Sequence, residues 1–294
     1  MLLNEYKLIE IFCSVDDFCT LYEEKLLPHL LPSTSSKKSV NTPSLSLSEM
    51  MVIELLYHLS GHKCFQYYYE MEVLNGSLRH YFPKAPSYNR FVELKPRMLM
   101  ALIAYLHLCR TGLMLQLYYA DSTVLAVCHN RRIHQHKVFA ANARRGKTST
   151  GWFFGFKLFI VINAYGELIR AFVTSGNQAD NSEKTIRRLF KQLTGFVYAD
   201  KGFIHQNMVG EFIEKGLRII TGIKMNMKNK LIEMQHKLLL KKRGVIESVN
   251  DILKTVCDIE HTRHRSPANM LVNTYAALIA YTWLERKPNI FTFR

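Results

Sequence analysis

The sequence predicts an α/β fold: a C-terminal domain with a mixed sheet, preceded by an all-helical N-terminal region. The 294 residues are 48% hydrophobic and 21% charged, which is typical of a globular chain and excludes a mainly disordered one. Apolar residues follow helical spacing up to residue 110, and beyond it short apolar runs alternate with amphipathic helices. The formal net charge of +15 comes entirely from residues 111–294, which hold 28 basic and 13 acidic residues.

The first helix of the N-terminal region is predicted over residues 1–31, where apolar residues recur at helical intervals. A serine-rich stretch over 33–48 predicts a linker. Ser46 and Glu49 have the spacing of a capping box, so the next helix begins there and ends before Gly61.

Two further helices complete the N-terminal region. One is predicted over 64–74, and another begins at Ser87 and continues toward Cys109, with a kink at Pro96. Short helices joined by tight turns fit a helix-turn-helix that binds DNA ends, and they fit equally a plain bundle that joins two molecules. Residues 1–110 are therefore predicted to form a helical region. The sequence does not decide whether this region binds DNA ends or joins two molecules.

The C-terminal domain, residues 111–294, is predicted to alternate strands and helices. The strands are expected at 114–120, 155–164, 168–174, 195–199 and 217–221, and the helices at 181–193, 203–215, 245–257 and 267–284. Tyr165 and Gly166 form the turn of a hairpin between the second and third strands. A hairpin followed by strands that alternate with helices indicates a mixed sheet.

Two acidic residues occupy the same local context. Asp121 follows the apolar run Leu-Tyr-Tyr-Ala, and Asp200 follows Val-Tyr-Ala, so each is expected at the C-terminal end of a buried strand. A carboxylate buried there is costly unless something compensates its charge, and a divalent cation does so. Taken singly, each aspartate fits a turn cap as well.

Glu247 is the third candidate ligand, on the helix predicted over 245–257. The apolar residues of that helix form one continuous stripe, and Glu247 flanks it, where it can be pressed against the sheet. An exposed glutamate is the alternative, and Asp251, one turn further along, competes for the same role. Three carboxylates suit two Mg²⁺ ions, because hard cations prefer oxygen ligands and can clamp a phosphate between them.

Basic residues flank these acids in the sequence. Residues 122–166 contain seven basic residues and no acidic one, and residues 224–243 contain seven against a single glutamate. This pattern predicts contact with a polyanion, although a solvated basic loop is the alternative. The candidate DNA-binding residues are Arg131, Arg132, Lys137, Arg144, Arg145, Lys147, Lys224, Lys228, Lys230, Arg243, Lys254, Arg263 and Arg265.

Two other signals in the basic stretch are weaker. Gly146-Lys147-Thr148 resembles the end of a P-loop, but Ala141 stands where the first glycine is needed, so ATP binding is excluded. Trp152 could stack on an unpaired base, and a packed strand or loop aromatic is the plainer interpretation.

With these residues in view, the chain resembles the acidic-triad (DDE) transposases of bacterial insertion sequences, and most closely the insertion sequence 982 family. The resemblance extends in collinear order through the C-terminal half. Its motifs are CHNRRIHQHKVF (128–139), RRGKTSTGWFFGFKLF (144–159), ADKGF (199–203), KMNMKNKL (224–231), KKRGVIESVND (241–251) and IEHTRHRSP (259–267). Arg243, Glu247 and Lys254 are spaced as in the third-acid signature of the related insertion sequence 4 group, but Leu240 replaces the tyrosine of that signature.

The resemblance implies an RNase H-like catalytic domain in which Asp121, Asp200 and Glu247 hold Mg²⁺ or Mn²⁺. It implies hydrolysis of phosphodiesters at the ends of the element, followed by attack of the freed 3′-OH on target DNA. The implied partners are the terminal inverted repeats, target DNA and further copies of the chain. The alternatives are a metal-dependent nuclease of the same fold without strand transfer, and a DNA-binding remnant without activity.

The expected location is the cytoplasm, in association with the bacterial nucleoid and not with a membrane. The N-terminus lacks the basic segment, apolar stretch and cleavage site of a secretory signal, and the apolar runs are too short or too polar to span a bilayer. The six cysteines include no CxxC pair, so they are expected to be reduced thiols.

Overall fold

The computed structural model describes residues 4–30, 44–149, 151–222, 233–260 and 264–292. The chain forms two compact units. The first, here called the helical unit, comprises Met1–Arg110, Thr255–Ile259 and His264–Trp283. The second, here called the sheet unit, comprises Thr111–Lys254, Glu260–Arg263 and Leu284–Arg294. Residues 255–259 and 264–283, which the sequence placed in the C-terminal domain, pack in the helical unit.

The described residues form more helices and more strands than the sequence predicts. The α-helices in the described residues are α1 (Glu5–Leu21), α2 (Leu27–Leu30), α3 (Leu47–Ser60), α4 (Phe65–Tyr68), α5 (Tyr88–Leu94), α6 (Leu99–Cys109), α7 (Glu183–Leu189), α8 (Val209–Glu214), α9 (Met234–Lys241), α10 (Gly244–Thr255) and α11 (Pro267–Thr282). The strands are β1 (Leu117–Cys128), β2 (Arg144–Thr148), β3 (Gly151–Asn163), β4 (Leu168–Ser175), β5 (Gly195–Ala199) and β6 (Leu217–Thr221). Among the residues described, no helix combines the length and apolar character needed to cross a bilayer.

Helix α3 lies at the centre of the helical unit. Its predicted capping box is present: the Ser46 amide donates to Glu49 Oε2 at 2.6 Å, and the Glu49 amide donates to Ser46 Oγ at 3.1 Å. Gly61 ends the helix in the left-handed region, with φ of 82°, which a residue with a side chain rarely adopts. Between these ends α3 is buried almost all round and packs against α1 and α11.

A buried ion pair joins α3 to the kink predicted at Pro96. The kink is a single 3₁₀ turn, Lys95–Met98, between α5 and α6. Lys95 Nζ lies 2.8 Å from Glu54 Oε1 and 3.4 Å from the centroid of the Phe65 ring. Burial raises the pKa of Glu54 and lowers that of Lys95, and their mutual attraction opposes both shifts. The pair therefore fixes this turn against the core of the helical unit.

The sheet unit contains the predicted mixed sheet. The strand order is β2-β3-β1-β5-β6, and β4 also pairs with β3. Strands β2, β3, β4 and β1 pair in antiparallel fashion, whereas β1, β5 and β6 are parallel. Helices α7 and α8 cover one face, where Phe159 and Val161 pack with Ile186, Leu189 and Phe212.

Several elements differ from their predicted bounds. The strand predicted over 114–120 begins instead at Leu117 and extends to Cys128, because β3 continues to supply pairing partners along it. No strand was predicted over the residues of β2, and no helix over those of α9. The helix predicted over 203–215 is two 3₁₀ turns followed by α8.

The start of α7 also differs from the sequence interpretation. The helix was predicted over 181–193, but it begins at Glu183, and its cap is Ser182, whose hydroxyl accepts from the Thr185 amide. Asp180, which precedes the helix, forms an ion pair with Lys157 of β3, with Oδ1 2.8 Å from Nζ.

Candidate active site

The register of two parallel strands brings the first two predicted acids together. Ala120 of β1 is paired with Ala199 of β5, so Asp121 and Asp200 follow at the same level on neighbouring strands. Asp200 comes directly after β5, as predicted. Asp121 does not end its strand, contrary to the prediction: it is the fifth residue of β1 and is paired with Ile160 of β3.

Helix α10 docks on the face of the sheet that carries Asp121. Most of its predicted apolar stripe is buried, although Val256 lies beyond the helix and is 46% exposed, and the docked helix presents Asn250 to the strand. Asn250 Nδ2 donates to Asp121 Oδ2 at 3.0 Å, and Asn250 is only 8% exposed. Asn250 is not among the site residues predicted from the sequence, because its contact with Asp121 depends on how α10 docks. Its position three residues after Glu247, on the same side of the helix, was the available signal.

The surroundings of Asp121 disfavour the ionised form of its carboxyl group. Burial is the main reason that its pKa rises from 3.8 to about 6. The Ser122 amide and the Arg243 guanidinium oppose this rise, whereas Glu247 and Asp200 add to it. Asp121 therefore lies within electrostatic reach of both other predicted acids, in a place where negative charge is disfavoured.

Glu247 is close to this group but faces a cation. Its side chain is 60% exposed, and Oε1 accepts from Arg243 Nη2 at 3.1 Å, one helical turn away. Within the described parts of the chain, no group of three Asp, Glu, His or Cys side chains is arranged closely enough to hold a metal ion. Asp121 and Asp200 are thus neighbours through the strand register, and Glu247 acts on Asp121 electrostatically while its own carboxylate pairs with Arg243.

The predicted DNA-binding residues have several different surroundings. Arg131, Arg132 and Lys137 are exposed in and after the 3₁₀ turn Asn130–Gln135, and Arg144, Arg145 and Lys147 are exposed on β2. Arg265 is exposed in the helical unit. Lys224, Lys228, Lys230 and Arg263 lie outside the described residues.

Lys254 has a protein partner. Its Nζ lies 3.1 Å from Glu260 Oε2, and Glu260 Oε1 accepts from the Ala126 amide of β1 at 3.2 Å. Glu260 therefore links the end of α10 to β1, which gives Lys254 a structural role as an alternative to the predicted contact with DNA.

Comparisons with known proteins give a family and a similar fold. Residues 111–267, more than half of the chain, match the family model described as "Transposase DDE domain". The chain is also similar to the solved structure of a piggyBac transposase synaptic complex with hairpin DNA, with a TM-score of 0.54 and 9% sequence identity. The alignment covers 95% of this chain and 74% of that one, and at this identity it shows a shared fold. A comparison with curated proteins gives no match.

Proposed function

The chain belongs to the family of DDE transposases, and on this premise we propose that it cuts and joins DNA in the transposition of a bacterial insertion sequence. The observation that carries the proposal is the register of β1 and β5, which sets Asp121 beside Asp200. Helix α10, which bears Glu247, is held to Asp121 by the Asn250 amide. The collinear motifs support membership of the insertion sequence 982 family, and the mixed sheet with its parallel β1, β5 and β6 supports an RNase H-like catalytic domain.

Asp121, Asp200 and Glu247 are the residues that would hold Mg²⁺ or Mn²⁺. The fit rests on their chemistry: all three offer carboxylate oxygens, and burial raises the pKa of Asp121, so a cation would stabilise its ionised form. When bound, the ion supplies Lewis-acid activation of the scissile phosphodiester.

The neighbouring side chains would position the reacting groups. Asn250 fixes one oxygen of Asp121, and Arg243 lies where a phosphate oxygen would meet its guanidinium beside the acids. Water is the attacking group in the first in-line displacement, and the freed 3′-OH is the attacking group in the second. The triad contains no serine or tyrosine, so we propose no covalent protein–DNA intermediate.

We further propose that the chain acts as a homo-oligomer on the terminal inverted repeats and target DNA, at the nucleoid. The sheet unit holds the basic surface of β2 and the 130–137 segment, which suits sequence-independent contact with phosphates. The helical unit, whose residues 1–110 carry no net charge, would then recognise the element ends.

The proposal is tested by incubating the purified full chain with labelled DNA from both ends of its element and Mg²⁺ or Mn²⁺. We expect cleaved strands and joined strands. D121N, D200N and E247Q should each abolish both products and leave DNA binding largely intact, because a carboxamide keeps the shape and loses the charge.

Asp251→Asn is the matched control, since Asp251 lies on the same helix one turn from Glu247. It should cleave and join at the native rate. Cleavage without joining would indicate a nuclease, and specific binding without cleavage would indicate an inactive DNA-binding protein. Native cleavage by any of the three triad variants would remove that residue from the triad.

A further inference from the structure

A half-exposed tryptophan lies between two cations on the outer strands of the sheet unit. Trp152, near the start of β3, is 52% exposed. Arg145 Cζ lies 4.9 Å from the centroid of its ring, and Lys147 Nζ lies 5.6 Å from it. Both distances fall within the range in which an aromatic ring attracts a cation. We call these three residues the Trp152 platform.

The backbone around the platform holds its side chains outward. Lys147 is the register partner of Trp152, and Arg145 is two residues along β2 on the same face. Between them Gly146 is buried, and a Cβ there would lie 2.2 Å from the Gly176 carbonyl oxygen, so β2 packs against its neighbours with no room for a side chain. Asn130 Nδ2 donates to the Trp152 carbonyl at 2.5 Å and secures the start of β3.

The platform and the acidic group share one face of the sheet. Trp152 precedes Ile160, the register partner of Asp121, by eight residues, and an even separation along a strand keeps the same face. At roughly 3.3 Å per residue the two positions are about 26 Å apart. The chain between residues 122 and 166 contains no acidic residue, which favours contact with a polyanion near the platform.

We propose that the Trp152 platform binds an unpaired nucleobase of DNA, with the indole ring stacked on the base and Arg145 and Lys147 on the neighbouring phosphates. This inference rests on the proposed function, since DNA is the polyanion concerned. A half-exposed indole offers a stacking surface that any base can use, and the two cations supply the charge that a nucleotide needs and an apolar protein segment does not.

The distance from the acids gives the bound base a place. A length of about 26 Å corresponds to about eight base pairs of B-DNA, at roughly 3.4 Å per pair along one strand. The unpaired base would therefore lie several nucleotides from the phosphodiester at Asp121 and Asp200. The platform would hold DNA away from the point of cleavage. The segment bound at the platform must be melted or single-stranded, because only an unpaired base can stack on the indole ring.

The test measures binding of the full chain to fluorescently labelled oligo-dT and to a blunt duplex, in EDTA so that no cleavage occurs. Trp152→Ala should weaken oligo-dT binding by about 5- to 150-fold, the equivalent of about 1–3 kcal/mol for one stacked base. Binding of the blunt duplex should change less than twofold. Trp152→Phe should retain most of the oligo-dT affinity, because it keeps a ring.

Tyr165→Ala is the matched control. Tyr165 is 51% exposed at the turn beyond the other end of β3, so its loss removes an exposed ring of the same unit away from the platform. Oligo-dT binding by this variant should be native.

Intrinsic fluorescence gives a second readout, because the chain contains only two tryptophans. The other, Trp283, is buried in the helical unit. Oligo-dT should quench the fluorescence of the native protein, and the quench should vanish in Trp152→Phe. A Trp152→Ala variant with native oligo-dT affinity would overturn the inference. A Trp152→Ala variant that differed from the native protein only in its oligomeric state would overturn it as well. Cleavage of element ends by the protein preparation used in that test would show that the proposed function stands even if the inference fails. If the native protein neither bound nor cleaved DNA, both the inference and the proposed function would be overturned.

Discussion

The carboxyl group of Asp121 is buried where its ionised form is disfavoured, which costs the metal-free protein stability. Its folded pKa of about 6 lies above the unfolded value of 3.8. The cost is therefore absent below about pH 4, grows between pH 4 and 6, and is complete above pH 6. A difference of about two pKa units corresponds to an upper limit of about 3 kcal/mol.

Replacing Asp121 by asparagine should remove this cost. At pH 7.5 in EDTA, we expect D121N to raise the free energy of unfolding by about 1–3 kcal/mol, and at pH 4 to change it little. Urea denaturation at the two pH values measures the difference. An equal gain at pH 4 and pH 7.5 would show that the ionised carboxylate is not the cause.

Asn250 is a positioning residue for Asp121. Its amide donates to the carboxylate oxygen and is itself almost fully buried, so its loss would free the orientation of Asp121. Removing a hydrogen-bond partner of a metal ligand typically costs 10- to 100-fold, and we expect Asn250→Ala to slow end cleavage by about that factor. The metal concentration for half-maximal cleavage should rise in parallel. Ser248→Ala, on the same helix, should cleave at the native rate; native cleavage and metal dependence in Asn250→Ala would refute the role.

At the scale of elements, Glu260 links the C-terminal end of α10 to β1. Its two oxygens meet Lys254 and the Ala126 amide, where the pairing of β1 with β3 shifts in register. We expect Lys254→Ala to leave the dependence of log K on log salt for DNA binding unchanged, because the ammonium serves this pair. Arg145→Ala should reduce the slope by about one phosphate contact.

A double-mutant cycle of Lys254→Ala and Glu260→Ala checks the same link by unfolding. Both side chains are partly exposed, so the coupling energy should be about 0.2–1 kcal/mol. A salt slope reduced by about one in Lys254→Ala would restore the sequence prediction that this lysine contacts DNA.

Local signals explain which elements the sequence could predict. Helix α3 matches its prediction because a capping box and a left-handed glycine lie within the segment itself. Strands β5 and β6 match because each is a short apolar run of strand length. Strand β2, Arg-Arg-Gly-Lys-Thr, has no such signal, since its extended form depends on pairing with β3.

The site follows the same rule. The matching Tyr-Ala-Asp contexts predicted that Asp121 and Asp200 belong together, and the strand register agrees. The strand that continues through Asp121 depends on partners from β3, and the contact of Asn250 depends on how α10 docks. Neither follows from residue types alone, because both arise from segments distant in the sequence.

At the scale of the whole molecule, the last helix belongs to the unit that begins the chain. Eleven of the sixteen residues of α11 are buried, and the helix packs against α3 and α6. Chain order suggested that α11 completes the catalytic domain, and its apolar character gave no indication of its partners. The chain after it returns to the sheet unit, where the Ile290 amide donates to the Ala164 carbonyl.

This arrangement determines how the two units can be separated. A fragment of residues 111–294 retains α11 and removes α3 and α6, so it exposes an apolar helix with no partner. We expect this fragment to bind the dye ANS and to self-associate in sedimentation experiments, whereas a fragment of residues 111–260 should remain monomeric. The shorter fragment loses the hydrogen bond at Ile290, which is worth about 1 kcal/mol.

The DNA binding of the 111–260 fragment should be steeply salt-dependent and should not distinguish element ends from random DNA, because residues 1–110 are absent. A monomeric 111–294 fragment that binds no ANS would show that α11 does not depend on the N-terminal helices, and end discrimination by 111–260 would assign recognition to the sheet unit.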